Sequence, residues 1–289
     1  MTTLSHKNME RITSSANPKY KTWRKAVSPH GRKKADAFLV ETRKLAAELL
    51  FSSHWTKSGA AFFSVEALVL EETRAGETLE MLCRLGKRLL PEESVRRRME
   101  AIPRYLLPKP LFSSLSGMKE SDGVIAVASG CLAQPWDSET RWHLAQLPRI
   151  LVLDGLQDPG NVGTLLRSAE AFGFHGVIGL SCVDFSHPRV LRASMGSAFR
   201  LLLCAPGYDT FSRGMEDRPW IGADLSGSDY RTFAWPERFG LILGNEGNGL
   251  SETLASQLSA VVTIPMAGRV ESLNVAVSGT VLMAGGSSN

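Results

Sequence analysis

Three short segments in the second half of the chain combine polar side chains with glycines at spacings that could build a ligand site. The first is Asp158-Pro-Gly-Asn-Val-Gly-Thr-Leu-Leu-Arg167. Gly163 near its helix start would let backbone or ligand approach closely, and Arg167 lies two turns in, among Leu165, Leu166 and Ala169. The second is Gly244-Asn-Glu-Gly-Asn-Gly-Leu-Ser251, a turn that exposes backbone N–H groups and permits positive φ. Its spacing is G-x-x-G-x-G, not the dinucleotide G-x-G-x-x-G, and no G-K-[ST] follows. Glu246 would repel a pyrophosphate, so the turn suits a neutral or cationic nucleotide-like ligand. The third is Ile264-Pro-Met-Ala-Gly-Arg-Val-Glu-Ser-Leu-Asn274-Val-Ala-Val. There Ser272 and Asn274 stand where the chain enters an apolar helix and could aim at a ligand.

Each segment also has an ordinary reading. Asn161, Ser272 and Asn274 are good helix caps, and a helical Arg is usually solvated. Position adds weight, because each segment follows a short apolar run. In open α/β sheets ligands bind outside the carboxyl ends of strands.

The elements that must position these segments are legible from periodicity. Apolar runs predict strands at 150–153, 177–180, 241–243 and 261–264, and helices over 162–172, 190–199 and 273–283. Short apolar strands separated by helices imply a mostly parallel sheet with helices on both faces. Upstream, strands are predicted at 37–41, 67–70 and 124–128, with a helix over 42–50, a second and smaller α/β unit. Residues 135–148 read as the connection, although Trp136, Trp142 and Leu144 suggest that part of it packs.

Charge divides the chain at the same place. Residues 1–144 hold 23 Lys+Arg against 16 Asp+Glu, a net of +7; residues 145–289 hold 10 Arg, no Lys and 13 acids, a net of −3. The expected domains are therefore 1–144, basic and suited to an anionic partner, and 145–289, carrying the three segments. Lys33, Lys34 and the run Arg96-Arg97-Arg98 are the densest candidates for phosphate contact. The four cysteines are scattered, with no C-x-x-C pair; neither a disulfide framework nor a zinc site is implied, and a reducing cytoplasm is expected. No run of about 18 uncharged apolar residues suggests a membrane span.

Taken together, N-x-G-x-x-x-R, L-I-L-G-N-E-G-x-G-L and I-P-M…S-L-N-V-A-V closely resemble the three motifs of the SpoU (TrmH-like) family of RNA ribose 2′-O-methyltransferases. Residues 184–200 resemble the stretch between its first two motifs. Arg11-Ile-Thr-Ser-Ser-Ala-Asn-Pro18 and Phe38-Leu-Val-Glu41 resemble the start of members with an N-terminal RNA-binding domain. The resemblance covers nearly the whole chain. Two departures stand out: Thr42 follows Glu41 where the family often has Gly, and the end, Met283–Asn289, is short and glycine-rich where relatives continue as a charged helix.

The resemblance implies a SPOUT catalytic domain with a deep trefoil knot, a ribosomal-protein-like N-terminal RNA-binding domain, and a homodimer. It implies S-adenosyl-L-methionine as cofactor, no metal, and RNA as substrate, ribosomal RNA before transfer RNA. By motif match Arg167 activates the ribose hydroxyl, by accepting its proton, stabilising the developing alkoxide or clamping a neighbouring phosphate. Asn161, Glu246, Ser272 and Asn274 position it and the ribose. Gly244, Ile264, Leu273 and Asn274 bind the cofactor. A non-catalytic RNA-binding relative would have no need of all five polar residues, and a nicotinamide dehydrogenase has the wrong glycine spacing.

Overall fold

The structure, a computed structural model, describes residues 9–51, 56–57, 60–61, 63–214, 218–245, 247, 249–268 and 272–287. The chain forms two compact units, Met1–Leu132 with Ser186–Phe199, and Ala133–Phe185 with Arg200–Asn289.

The first unit contains β1 (Met9–Arg11), α1 (Pro18–Ala26), α2 (Pro29–Ala35), β2 (Ala37–Glu41), α3 (Arg43–Phe51), β3 (Thr56–Lys57), β4 (Ala60–Ala61), β5 (Phe63–Glu71), α4 (Ala75–Gly86), α5 (Glu92–Ala101), β6 (Arg104–Leu107), α6 (Lys109–Leu115) and β7 (Val124–Gly130). Five of its strands form a mixed sheet in the order β1-β6-β5-β7-β2, with β5–β7 and β2–β7 antiparallel. Strands β2 and β7 are apolar because both of their faces are covered. On one side Ile12, Tyr20, Trp23, Leu39, Val69, Tyr105 and Phe112 make a continuous core. Asn17 and Ser28 cap α1 and α2, each with Pro at the first helical position, where its missing N–H costs nothing.

The second unit begins with β8 (Ala133–Gln134) and α7 (Ser138–Gln146), then β9 (Arg149–Asp154), α8 (Pro159–Ala171) and β10 (Gly176–Leu180). Next comes α9 (Pro188–Ser194), which belongs to the first unit and packs on β2. Then follow β11 (Leu202–Cys204), α10 (Tyr208–Arg213), β12 (Trp220–Asp229), β13 (Phe239–Leu243), α11 (Glu252–Ala255), β14 (Ala260–Thr263) and α12 (Val275–Ser287). The sheet order is β14-β12-β13-β9-β10-β11-β8, parallel throughout. From β9 the order runs outward through β10 and β11 on one side and through β13, β12 and β14 on the other. The gap between β9 and β13 is thus a topological switch point, where α/β folds bind ligands.

Several expectations are corrected. The unit boundary lies after Leu132, not Leu144, because β8 pairs with β11 and the expected connection contains α7, capped by Asp137. Residues 190–199 are not one helix: α9 stops at Ser194, and Met195 and Gly196 take positive φ before a short 3-10 turn. The strands β1, β6, β8, β11 and β12 carry too short or too broken an apolar signal to be read from the sequence.

Candidate functional site

The first segment leaves β9 through Gly155, at φ +70°, and re-enters helix at Pro159. Asp158 caps α8 by accepting from the Asn161 N–H at 2.9 Å. The sequence had pointed to Asn161 as the cap of a helix from Val162; the helix instead starts one turn earlier, at Pro159, and Asn161 lies within that first turn. Val162, Leu165, Leu166 and Ala169 are buried at helical spacing, which leaves Arg167 exposed on the opposite side. Among the described residues Arg167 makes no hydrogen bond or ion pair.

The third segment ends at Asn274, whose Oδ1 accepts from Ala276 and Val277 N–H at 3.0 and 3.4 Å and so caps α12. Its Nδ2 donates to Asn161 Oδ1 at 3.1 Å. A single asparagine therefore both starts α12 and ties it to α8. Farther along, Ser168 and Thr280 hydroxyls meet at 2.7 Å. A Cβ on Gly279 would come within 2.5 Å of both Leu165 and Leu243, so only glycine allows α12 this close to α8 and β13. The glycine-rich end continues α12 as helix to Ser287.

In the second segment Asn245 and Gly249 exchange backbone hydrogen bonds at 3.0 and 2.8 Å, closing the turn. A Cβ on Gly244 would lie 2.4 Å from the Gly249 carbonyl, so the two arms pack backbone on backbone. Glu246, singled out from the sequence, lies outside the described residues.

These pieces meet at the carboxyl ends of β12, β13 and β14 around a cavity of about 230 Å³. Gly244, Ile264, Ser272 and Leu273, all anticipated, line it. Asn161, Arg167 and Asn274 do not line it; the Asn161–Asn274 pair sits at its border, next in sequence to Leu273. Asp224, Leu225, Asn245, Met266 and Ser278 line it too and were missed. Asp224 and Leu225 belong to a bulge in β12 whose register shifts between Ala223 and Ser228 against Val262. An Asp-Leu-Ser-Gly-Ser stretch within a strand was the only available signal. Ser226 donates to the Asp224 carboxylate from Oγ and from N–H, and these bonds hold it below the usual carboxylate range.

The cavity fits a ligand such as S-adenosyl-L-methionine in the character of its walls. Leu243, Val262, Ile264, Leu273 and Leu282 are apolar, glycine backbone supplies polar groups, and Asp224 is the one charged residue among the described lining residues. Among the described residues no basic side chain lines it. Among the described residues no group of three or more His, Cys, Asp or Glu could hold a metal, and no helix is long and apolar enough to cross a membrane.

The basic candidates fall apart in the structure. Lys33 and Lys34 are exposed in the last turn of α2. Within α5, Arg96 pairs with Glu93 at 2.7 Å and Arg98 donates to the Leu50 carbonyl at 2.7 Å. Arg97 is exposed and makes no such bond among the described residues.

Comparison with known proteins agrees with this arrangement. The SpoU rRNA methylase family matches residues 148–284. The chain is 29% identical over 279 residues to RlmP of Bacillus subtilis, a 23S rRNA (guanosine(2553)-2′-O)-methyltransferase, covering 95% of this chain and 98% of that protein. It is 30% identical to an uncharacterized tRNA/rRNA methyltransferase of Synechocystis sp., covering 94% and 91%. Its fold is that of an AdoMet-bound rRNA methyltransferase from Sinorhizobium meliloti, with a TM-score of 0.74, 24% identity, and 96% and 97% of the two chains covered. With its motifs assembled at one sheet edge and a full-length relative at this identity, the chain belongs to the SpoU rRNA methylase family.

Proposed function

We propose that this protein methylates a ribose 2′-hydroxyl of RNA, ribosomal RNA before transfer RNA, using S-adenosyl-L-methionine. The observation that carries the reading is the Asn161–Asn274 hydrogen bond, which brings the first motif to the border of a cavity lined by the other two and by the β12 bulge. When bound, the cofactor supplies an electrophilic methyl group. Gly244, Asn245, Ile264 and Leu273 would hold it through backbone groups and packing, and the Asp224 carboxylate favours a cationic ligand.

A ribose hydroxyl is a poor nucleophile at neutral pH, so the protein must orient it and favour loss of its proton. A guanidinium stays protonated. Arg167 therefore acts best as a fixed positive charge that stabilises the developing alkoxide or holds a neighbouring phosphate. Asn161, Ser272 and Asn274 position the ribose; Glu246 completes the set by motif.

The active form in this reading is a cytoplasmic homodimer. Arg167 lies outside its own chain's cavity, and Leu225, Leu273 and Val277 are exposed apolar side chains on or beside the cavity rim. A second copy would cover that rim and bring an arginine toward it. The threading of the C-terminal segment as a trefoil knot belongs to the same reading. It is supported by α12, which follows the edge strand β14 yet packs on α8 and β13 at the sheet centre. The first unit supplies RNA affinity through exposed lysines and arginines.

Two measurements test this. Calorimetry is expected to show S-adenosyl-L-methionine binding without added metal. Ribose-methylation mapping in cells with and without the gene is expected to show one ribosomal RNA site lost. A lost transfer RNA site would move the substrate, and no lost site would overturn the reading.

A further inference from the structure

Asp154 is the last residue of β9. The residue is 2% exposed, and its carboxylate makes no ion pair among the described residues. A buried carboxylate without a cation is costly unless hydrogen bonds replace its water. Two do so. Asp154 Oδ1 accepts from the Tyr208 hydroxyl at 2.5 Å, and Oδ2 accepts from the Ser251 N–H at 2.7 Å. Tyr208 starts α10 and Ser251 ends the glycine turn, so one buried carboxylate joins three elements distant in sequence.

The next residue repeats the attachment. The Gly155 carbonyl accepts from Asn245 Nδ2 at 3.2 Å. Asn245 lies on the entering arm of the glycine turn and Ser251 just beyond its leaving arm. The tip of β9 thus holds the turn at both arms, while the Asn245–Gly249 backbone pair and the tight Gly244–Gly249 contact make the arms move together. Gly244, Asn245 and Gly249 line the cavity. Displacing Ser251 therefore moves the cavity wall.

We infer that Asp154 is a positioning residue for cofactor binding: it sets the glycine turn through Ser251, with Tyr208 as the second donor that holds the carboxylate in place. This inference rests on the function proposed above. Tyr208 serves the role across all working conditions, since burial and the adjacent carboxylate push its pKa up to about 12 and keep it a donor.

The test uses the full-length protein with D154N and Y208F. In D154N the charge is lost and only one acceptor oxygen remains for the two donors, without change of size. The expected result is a rise of about tenfold in the KM for S-adenosyl-L-methionine, with kcat at saturating cofactor within about twofold. Y208F, which leaves the Ser251 bond intact, should raise KM by about threefold. A role confined to holding the fold would lower the melting temperature or active fraction and leave KM unmoved. The second readout needs no cofactor: amide exchange at Ser251 should accelerate in D154N and change less in Y208F. Unchanged exchange at Ser251 and unchanged KM would overturn the inference. If wild-type protein bound no S-adenosyl-L-methionine, the functional reading would fail, while the exchange data would still report whether Asp154 holds the turn.

Discussion

Asn274 Nδ2 donates to Asn161 Oδ1 at 3.1 Å, joining two residues 113 positions apart, but the two ends of this bond do unequal structural duty. Asn274 caps α12, whereas α8 is capped by Asp158, not Asn161. Asn274→Ala is therefore expected to lose about 1 kcal/mol from the cap, lowering Tm by about 2–4 °C, as well as activity. Asn161→Leu should reduce methyl transfer by about tenfold with Tm nearly unchanged. Thermal melts beside single-turnover assays separate the two; equal losses of stability would refute the asymmetry.

Arg167 is exposed on α8 and contributes little to packing. Arg167→Ala is expected to abolish methyl transfer while Tm and the cofactor Kd stay at wild-type values. Arg167→Lys keeps the charge but loses the planar fork, so partial activity should remain if the charge is what matters. Near-normal turnover in the alanine variant would return Arg167 to a solvated surface role.

Legibility followed signal length. The strands β9, β10 and β13 and helix α8 were readable because each is a sustained apolar pattern with a clear stop. Motif order pointed to Gly244, Ile264, Leu273 and Asn274 as cofactor contacts; the first three line one cavity with Ser272, and Asn274 does not line it. Residues whose roles depend on a distant partner were not readable. Asp154 looks in sequence like a polar residue ending a strand, and only the fold brings Tyr208 and Ser251 to it. Likewise Arg96-Arg97-Arg98 reads as one cluster, yet helical geometry turns the three side chains in different directions.

Thr42 is where the sequence departs from the glycine common in the family, and its φ is +79°. That conformation is strained for a β-branched residue. Its hydroxyl repays part of this by accepting from the Leu45 N–H at 3.3 Å. Replacing a threonine cap by glycine costs only a few tenths of a kcal/mol, less than the strain of about 1 kcal/mol or more. Thr42→Gly should therefore raise the urea midpoint. A lower midpoint would mean that the cap outweighs the strain.

Burial pushes the thiols of Cys182 and Cys204 from 9.0 up to about 12. The unfolded chain then releases these protons first, so it binds fewer protons than the native state and stability falls as pH rises. The contribution is intact below about pH 9 and is lost on the way to pH 12. Urea titrations at about pH 8 and about pH 10 should show this loss, and it should shrink in Cys182→Ala. A flat response in the wild type would contradict the burial of these thiols.

The basic residues of the first unit should separate into binders and braces. Arg98 donates to the Leu50 carbonyl and links α5 to α3, so Arg98→Ala should lower Tm. Arg96 is partly neutralised by Glu93, so its removal should change RNA affinity little. Lys33, Lys34 and Arg97 are exposed with no ion pair among the described residues. Each one that contacts a phosphate releases counterions on binding, so its replacement by alanine should weaken RNA binding and lower the log–log salt slope by about 0.7–0.9. The effect should be uniform across RNA sequences, because phosphate contacts carry no sequence information. Filter-binding titrations over a range of salt concentrations read both quantities at once. If the Lys33, Lys34 and Arg97 variants kept the wild-type slope while Arg96→Ala lowered it, charge pairing within α5 would not decide which arginines meet RNA.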